Sequence, residues 1–289
     1  VFGVEGDRTR PESRRRTADR VWLDQNGLPA PAPYTVARMI DSDKYATATV
    51  VSRRDLATDL WVVRIRPDCE LPFRPGQYVT LGLEIDGHIV ERPYSIASDP
   101  AEGEIELFIE RVPEGELSAP LHDVPIGETT LVRRRCKGLF LKDAPVEGQP
   151  HVFVATVTGI APFVSILRSL RRRAAAGEWA PDQPVIALQG ASRSEELGYA
   201  DELRTLDAEC PWFTYIPTIS RPWDDLGWEG ETGRVEDVLR KHADATGMGP
   251  GHGAIYLCGH PGMIAGSRGI MRRRGFSDKE IREEQYWPD

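Results

Sequence analysis

The feature that most constrains this chain is a change of rhythm near residue 144. Before it, apolar residues come in short β-prone runs: TATVVS, LWVVRIR, YVTLGLEI, HIVERPYSIAS, EIELFIERV and TTLVRRR. Gly, Pro and Asp turns separate them, and short strands at regular spacing predict an antiparallel barrel. One helix-like interruption runs from 117 to 124. After the linker APVEGQP, the apolar runs HVFVAT, PVIALQGA, WFTYIPTIS and AIYLCG alternate with helical patterns at 162–176, 195–206, 235–242 and 262–274. That alternation implies βαβ units around a parallel sheet. The expected fold class is two-domain β plus α/β: an antiparallel β-barrel, then a Rossmann-like parallel-sheet domain. The expected divisions are an extension over 1–44, the barrel over 45–147 and the parallel-sheet domain over 148–289.

A length of 289 residues suits two domains, and 40% hydrophobic with 28% charged residues is ordinary globular composition. The formal net charge of -9 argues against a nucleic-acid binder. Cys69, Cys136, Cys210 and Cys258 are widely spread, which argues against zinc ribbons, a thioredoxin-type dithiol and a plant-type iron–sulfur cluster. No metal site is expected. A reduced, cytoplasmic environment fits this cysteine usage, and neither a membrane span nor a signal peptide is expected. Residues 1–44, with Arg14-Arg15-Arg16 and the Pro-rich GLPAPAP, read as an extension that is flexible or docks another subunit. Within it, Val21-Trp22-Leu23 is a short apolar anchor, or simply part of a tail.

The residues with chemistry cluster at strand ends, where parallel sheets bind their ligands. On the run around Arg92-Pro93-Tyr94-Ser95, alternation puts Arg92 and Tyr94 on one face and Ser95 on the other. A cation, a flat ring and a hydroxyl suit a flavin nucleotide, although a hairpin strand with a surface Arg would look the same. In the turn Thr156 to Pro162, Gly159 is expected to let the backbone approach a ligand, and Pro162 opens a helix. Cys258, before Gly259-His260-Pro261-Gly262-Met263, either points into the same crevice or is a buried structural cysteine. Arg193, Arg221 (beside Ser220) and Arg234 follow the middle strands. If their loops converge, their forks suit a 2′-phosphate and hence NADP over NAD; otherwise they are exposed arginines. The terminal Tyr286 and Trp287 would fray unless packed on a planar cofactor or on the sheet.

Six segments together carry a resemblance: PGQYV (75–79), RPYS (92–95), GELS (115–118), TGIAP (158–162), CGHPGM (258–263) and the terminal YW. In that order and spacing, over about residues 45 to 287, the chain resembles the bacterial-type ferredoxin/flavodoxin–NADP(+) reductases. The resemblance implies an FAD-binding barrel and an NADP(H)-binding domain. It implies that Arg92, with Pro93, holds the FAD pyrophosphate, that Tyr94 stacks on the isoalloxazine and that Ser95 bonds near its N5. Backbone at Glu116, Leu117 and Ser118 would share the phosphate charge, and Thr158 would sit by flavin and nicotinamide. Arg193, Ser220, Arg221 and Arg234 match the 2′-phosphate region. Cys258 would lie near the nicotinamide C4 with Gly259 and Met263 beside it, Glu284 near the hydride-transfer site, and Tyr286 and Trp287 over the flavin or its adenine. Ser95, Thr158, Cys258 and Glu284 are the implied catalytic set.

The implied reaction moves a hydride between NADP(H) and flavin, and single electrons between flavin and ferredoxin or flavodoxin. Two alternatives are the reductase component of a multi-subunit oxygenase-like system, and a flavin-binding assembly subunit with impaired nicotinamide turnover. Val157 stands where the family usually has Gly, and a β-branched residue resists φ > 0 there; weaker nicotinamide docking is expected. Arg133-Arg134-Arg135 with Lys137, Arg171-Arg172-Arg173 and Arg272-Arg273-Arg274 are either a basic rim for an acidic carrier or solvated faces.

Overall fold

Alternate burial of apolar side chains turns the first set of runs into strands that curl round a core. The structure, a computed structural model, describes residues 34–35, 43–112, 114–138, 140 and 148–285. Its first sheet contains β1 (Tyr34–Thr35), β2 (Tyr45–Ala57), β3 (Leu60–Pro67), β4 (Tyr78–Ile85), β5 (His88–Ser95), β6 (Ile105–Glu110) and β7 (Thr129–Arg133), with the short helix α1 (Ser118–Asp123) between β6 and β7. Pairing is antiparallel in the order β1-β4-β7-β2-β3-β6, with β5 on β4. Past β5, Ile96 bridges Leu107 and the Ala97 N–H donates to the Glu106 carbonyl at 2.8 Å, which joins β5 to β6 and closes the ring. Closure leaves few strand edges open to stray pairing. Trp61, Ile65, Leu81, Leu107 and Ile109 fill the barrel.

The second sheet is built from β8 (His151–Thr156), α2 (Ala161–Ala175), β9 (Val185–Ala191), α3 (Ala200–Glu209), β10 (Phe213–Ile219), β11 (Glu231–Thr232), α4 (Val235–Ala245), β12 (Ala254–Gly259), α5 (Pro261–Arg273) and β13 (Ile281–Gln285). All its strands run parallel in the order β11-β10-β9-β8-β12-β13. The chain steps outward from β8 through β9 and β10 on one side, and through β12 and β13 on the other. The direction therefore reverses between β8 and β12, and the crevice beyond their carboxyl ends is the expected ligand position. The expected barrel and parallel sheet are both present.

One local expectation needs correction, and one strand has no apolar pattern to announce it. The helix expected over 195–206 is broken into a 3-10 turn, Ser194–Glu196, and α3. Tyr199 between them sits at φ 64, and its ring packs edge-on against Phe108 of β6 at 5.6 Å. This contact with the other sheet overrides local helix preference. The segment before the C-terminus is strand β13, hidden by its charged residues: only Ile281 of its five residues is buried. The extension is described only at β1, which pairs with β4, and at Asp43 and Lys44; Arg14 to Arg16 and Val21 to Leu23 lie outside the described residues.

The two sheets share a core. Leu60, Val62, Ala97 and Phe108 of the barrel pack in one apolar cluster with Phe153, Phe163 and their neighbours. Beside it, Arg168 of α2 donates from Nε and Nη2 to the two carboxylate oxygens of Glu202, both at 2.7 Å, and from Nη1 to Ala97 O of the barrel at 3.2 Å. Its Nη1 also lies 2.9 Å from Glu106 Oε1, while Glu106 Oε2 accepts from Arg64 at 2.7 Å. Among the described residues, no helix is long and apolar enough to cross a membrane.

Candidate active site

The strand carrying Arg92 is positioned by full pairing with β4, which sets Arg92 opposite Leu81 and Tyr94 opposite Val79. A cavity of about 520 Å³ opens beside it. Arg92, Pro93, Tyr94 and Ser95 line one wall, Phe108 to Glu110 with Val112 another, and Glu114 to Ser118 a third. Thr158 reaches the same cavity from the parallel-sheet side. Alternation along β5 holds in part: Pro93 and Ser95, without Arg92 and Tyr94, also line a smaller cavity of about 210 Å³ with Tyr78, Glu284 and Gln285. All four residues nevertheless border the larger space, so the strict two-face expectation is corrected.

Arg92 Nη2 donates to Glu116 Oε2 at 3.0 Å across the mouth of the larger cavity. Burial pushes the Tyr94 hydroxyl up to about 12, with the Arg92 cation opposing; the ring is neutral at any ordinary pH. Leu117 is buried, and the Ser118 hydroxyl accepts from the Val112 N–H at 2.9 Å, which fixes the loop that enters α1. A Cβ on Gly115 would come within 3.1 Å of both the Val112 carbonyl and the Ser118 hydroxyl. Glycine therefore permits this tight loop.

At the switch point, the turns after β8 and β12 press together. A Cβ on Gly159 would fall 2.2 Å from the Cys258 carbonyl oxygen, and one on Gly259 would fall 2.3 Å from Thr156 Oγ1. Gly159 thus admits a neighbouring turn of the chain. The His260 N–H donates to Thr156 Oγ1 at 2.8 Å and ties the two turns. Val157 lies between them at φ 45, in the left-handed region.

Other expected site residues are placed as follows. Cys258 has no exposed surface and packs in the shared apolar core, so its side chain lies beneath the crevice and lines neither cavity. Met263 is likewise buried, in the cluster under α4 and α5. Glu284 is in register with Cys258 on β13 and lines the smaller cavity with Ser95. Loops after β9 and β10 do converge: the Ser220 N–H donates to Ala191 O and the Arg221 N–H to Ser192 O, each at 3.0 Å. Arg193 and Arg221 therefore stand on adjoining loops. Arg234 pairs with Glu236 at 2.6 Å and turns toward α5, where a Cβ on Gly262 would lie 3.8 Å from its Nη2. Tyr286 and Trp287 lie outside the described residues.

Sequence reasoning missed Phe108, Glu110, Val112 and Glu114 as lining residues. Nothing in a strand ending in Glu-Arg-Val signals that its end walls a cavity. The Glu110 carboxyl is raised by burial, with Glu196 and Asp59 adding and His260 opposing.

Comparison with known proteins agrees with the order of the two sheets. Residues 47–138 match the oxidoreductase FAD-binding domain family, and residues 153–269 match the oxidoreductase NAD-binding domain family. Ferredoxin--NADP reductase B of Sorangium cellulosum is 36% identical over 221 residues, covering 74% of this chain and 85% of that one. The reductase component DmpP of phenol 2-monooxygenase from a Pseudomonas species is 28% identical over 236 residues, covering 81% and 63%. In fold, a ferredoxin NADP+ reductase from Neisseria gonorrhoeae, with bound FAD and NADP, superposes with a TM-score of 0.75 at 23% identity, over 84% of this chain and 99% of that one. Two oxidoreductase domains in this order, and a relative this similar over most of both lengths, establish that the chain belongs to the ferredoxin–NADP reductase family.

Proposed function

We propose that this chain is an FAD-dependent reductase that moves electrons between NADP(H) and a one-electron carrier protein such as ferredoxin or flavodoxin. The observation that carries the reading is the 520 Å³ cavity, in which Arg92, Tyr94 and Ser95 of the barrel meet Thr158 of the switch-point turn. Its donor set fits a flavin nucleotide. Arg92 would exchange the exposed Glu116 carboxylate for a diphosphate, which charge-assisted, forked hydrogen bonding favours. Tyr94 offers a neutral ring for stacking, and the buried Ser95 hydroxyl a hydrogen bond to a ring nitrogen. FAD, when bound, supplies the step between two-electron hydride and single electrons.

The chain's own work is placement. Thr158 and the Gly159–Cys258 contact would hold the nicotinamide side of the crevice against the flavin. Glu284, across the smaller cavity from Ser95, would hold a carboxylate at the edge of the reacting pair. Arg193, Ser220 and Arg221 would take the 2′-phosphate, with Arg234 beside α5; Gly259 would give the backbone room at the turn, and Tyr286 and Trp287 would cover a ring. The domain limits 45–147 and 148–289, the cytoplasmic setting and docking by residues 1–44 belong to the same proposal. A second reading, the reductase of a multi-component oxygenase, draws on the similarity to the phenol 2-monooxygenase component.

Flavin retention tests the site. Protein refolded or purified with FAD is expected to carry a flavin spectrum, and Arg92→Ala to weaken FAD binding by roughly tenfold or more, the loss expected for a charge-assisted pair to phosphate. Equal FAD affinity in Arg92→Ala and the parent would remove the argument. Reduction of ferredoxin or flavodoxin, set against reduction of an oxygenase component, separates the two readings.

A further inference from the structure

The dinucleotide side of the site carries a pairing that the arginine pattern alone does not suggest. Arg193 Nη2 lies 3.1 Å from Asp224 Oδ2, and its Nη1 lies 3.6 Å from Glu196 Oε1. The arrangement is built by backbone. Arg221 N–H to Ser192 O ties the loops after β9 and β10, and the Asp224 N–H donates to Arg221 O at 3.0 Å, closing the 3-10 turn Pro222–Asp224 that swings Asp224 back to Arg193. Glu196 is fixed as well, since its Oε2 accepts from the Ser192 N–H at 2.8 Å. Arg221, on the adjoining loop, has no ion-pair partner among the described residues, so of the three arginines only two are committed to carboxylates.

In dinucleotide sites an arginine accommodates the 2′-phosphate of NADP, whereas a carboxylate accepts from the free ribose hydroxyl of NAD. Here the two residue types stand against each other at one strand-loop junction. A 2′-phosphate must displace Asp224 from Arg193 and then sit beside the displaced carboxylate. A ribose hydroxyl meets no such competition and finds an acceptor in place.

We propose that Asp224 sets coenzyme preference by occupying Arg193, narrowing the preference for NADPH over NADH. This rests on the reading of the parallel-sheet domain as the NADP(H) site. Asp224 is a positioning residue, acting through Arg193. Both partners are about one-third exposed, with side-chain exposures of 39% and 34%, so the effect is bounded. Breaking such a pair shifts binding by up to about fivefold.

The test is steady-state kinetics of the FAD-loaded protein with NADPH and with NADH. Asp224→Asn is expected to raise the NADPH-to-NADH ratio of kcat/KM by roughly threefold to fivefold, through the KM for NADPH rather than kcat. Asp224→Glu, which keeps the carboxylate, is expected to hold the parent ratio. Asp225→Asn removes a neighbouring charge without touching Arg193 and is expected to give less than half the change. An unchanged or lower ratio in Asp224→Asn, or an equal rise in Asp225→Asn, overturns the proposal. A turnover-independent arm titrates the same proteins with 2′,5′-ADP and with 5′-AMP by calorimetry. Asp224→Asn should tighten 2′,5′-ADP severalfold and not 5′-AMP; equal effects on both, or no binding of 2′,5′-ADP to either protein, overturn it. If neither nicotinamide reduces the flavin, the proposed function fails, while the titration still decides the role of the pair.

Discussion

Val157 at φ 45 concentrates the conflict between local preference and site geometry. A β-branched side chain in the left-handed region stores strain on the order of 1–3 kcal/mol. It is offset in part by packing against the shared core. Replacement by Gly relieves the strain but loses that packing; replacement by Ala loses packing and keeps part of the strain. Val157→Gly is therefore expected to be at least as stable as Val157→Ala, by about 1 kcal/mol in urea melts, reversing the usual order at ordinary backbone positions. Ala more stable than Gly would show that the position is unstrained. The same relief is expected to tighten nicotinamide docking, read as a lower KM for NADPH; an unchanged hydride-transfer rate and affinity would remove Val157 as an obstacle. The sequence exposed this position because a valine stood where a glycine pattern runs. It could not expose why Gly159 is glycine, since the clash it avoids is with the carbonyl of Cys258, 99 positions away in the chain.

At the level of elements, strands and helices were legible because period-2 and period-3.6 apolar patterns report burial directly. Charged elements were not. Strand β13 has one buried residue, and the arginine runs gave no hint of their partners. Arg133 is paired with Glu91 on β5, which also accepts from the Tyr45 hydroxyl at 2.7 Å. On α2, Arg171 pairs with Glu209 and Arg172 with Asp99, while Arg173 lies over the Trp179 ring. Arg272 and Arg274 pair with Asp278 and Asp244. Most of these charges therefore serve the fold.

The Glu91 network makes a pH prediction for strand β5. The hydrogen bond from Arg133, with that from Tyr45, outweighs burial and lowers the Glu91 carboxyl from 4.5 to about 2. A carboxyl lowered by folding stabilises the protein fully above its unfolded value and loses that contribution as pH falls through the folded one. Glu91→Gln is accordingly expected to cost on the order of 2 kcal/mol at pH 7, after discounting for screening. The cost should shrink between pH 4.5 and about 2, the window set by that shift. A cost independent of pH over that range would contradict the assignment.

For the whole molecule, the relation of barrel to parallel sheet decides whether Thr158 meets the cavity under β5. That relation is held by the shared core and by Arg168. Burial disfavours the Glu106 carboxylate, but Arg168 and Arg64 outweigh it and hold the carboxyl below its ordinary value. Arg168→Met is expected to destabilise the protein by about 3 kcal/mol or more, because it strips a cation from a buried carboxylate. Adding Glu106→Gln should recover part of the loss, and additive effects in that double-mutant cycle would deny the coupling. No sequence pattern announces this lock, since its members are drawn from five separated segments whose meeting depends on the fold.

The most direct test of the account is a rapid-mixing absorbance experiment on the FAD-loaded protein under anaerobic conditions, first with NADPH and then with NADH. The account predicts that NADPH bleaches the oxidised flavin spectrum on mixing and that NADH does so less effectively. A bound flavin that neither nucleotide reduces would contradict the crevice between β8 and β12 as a working hydride-transfer site.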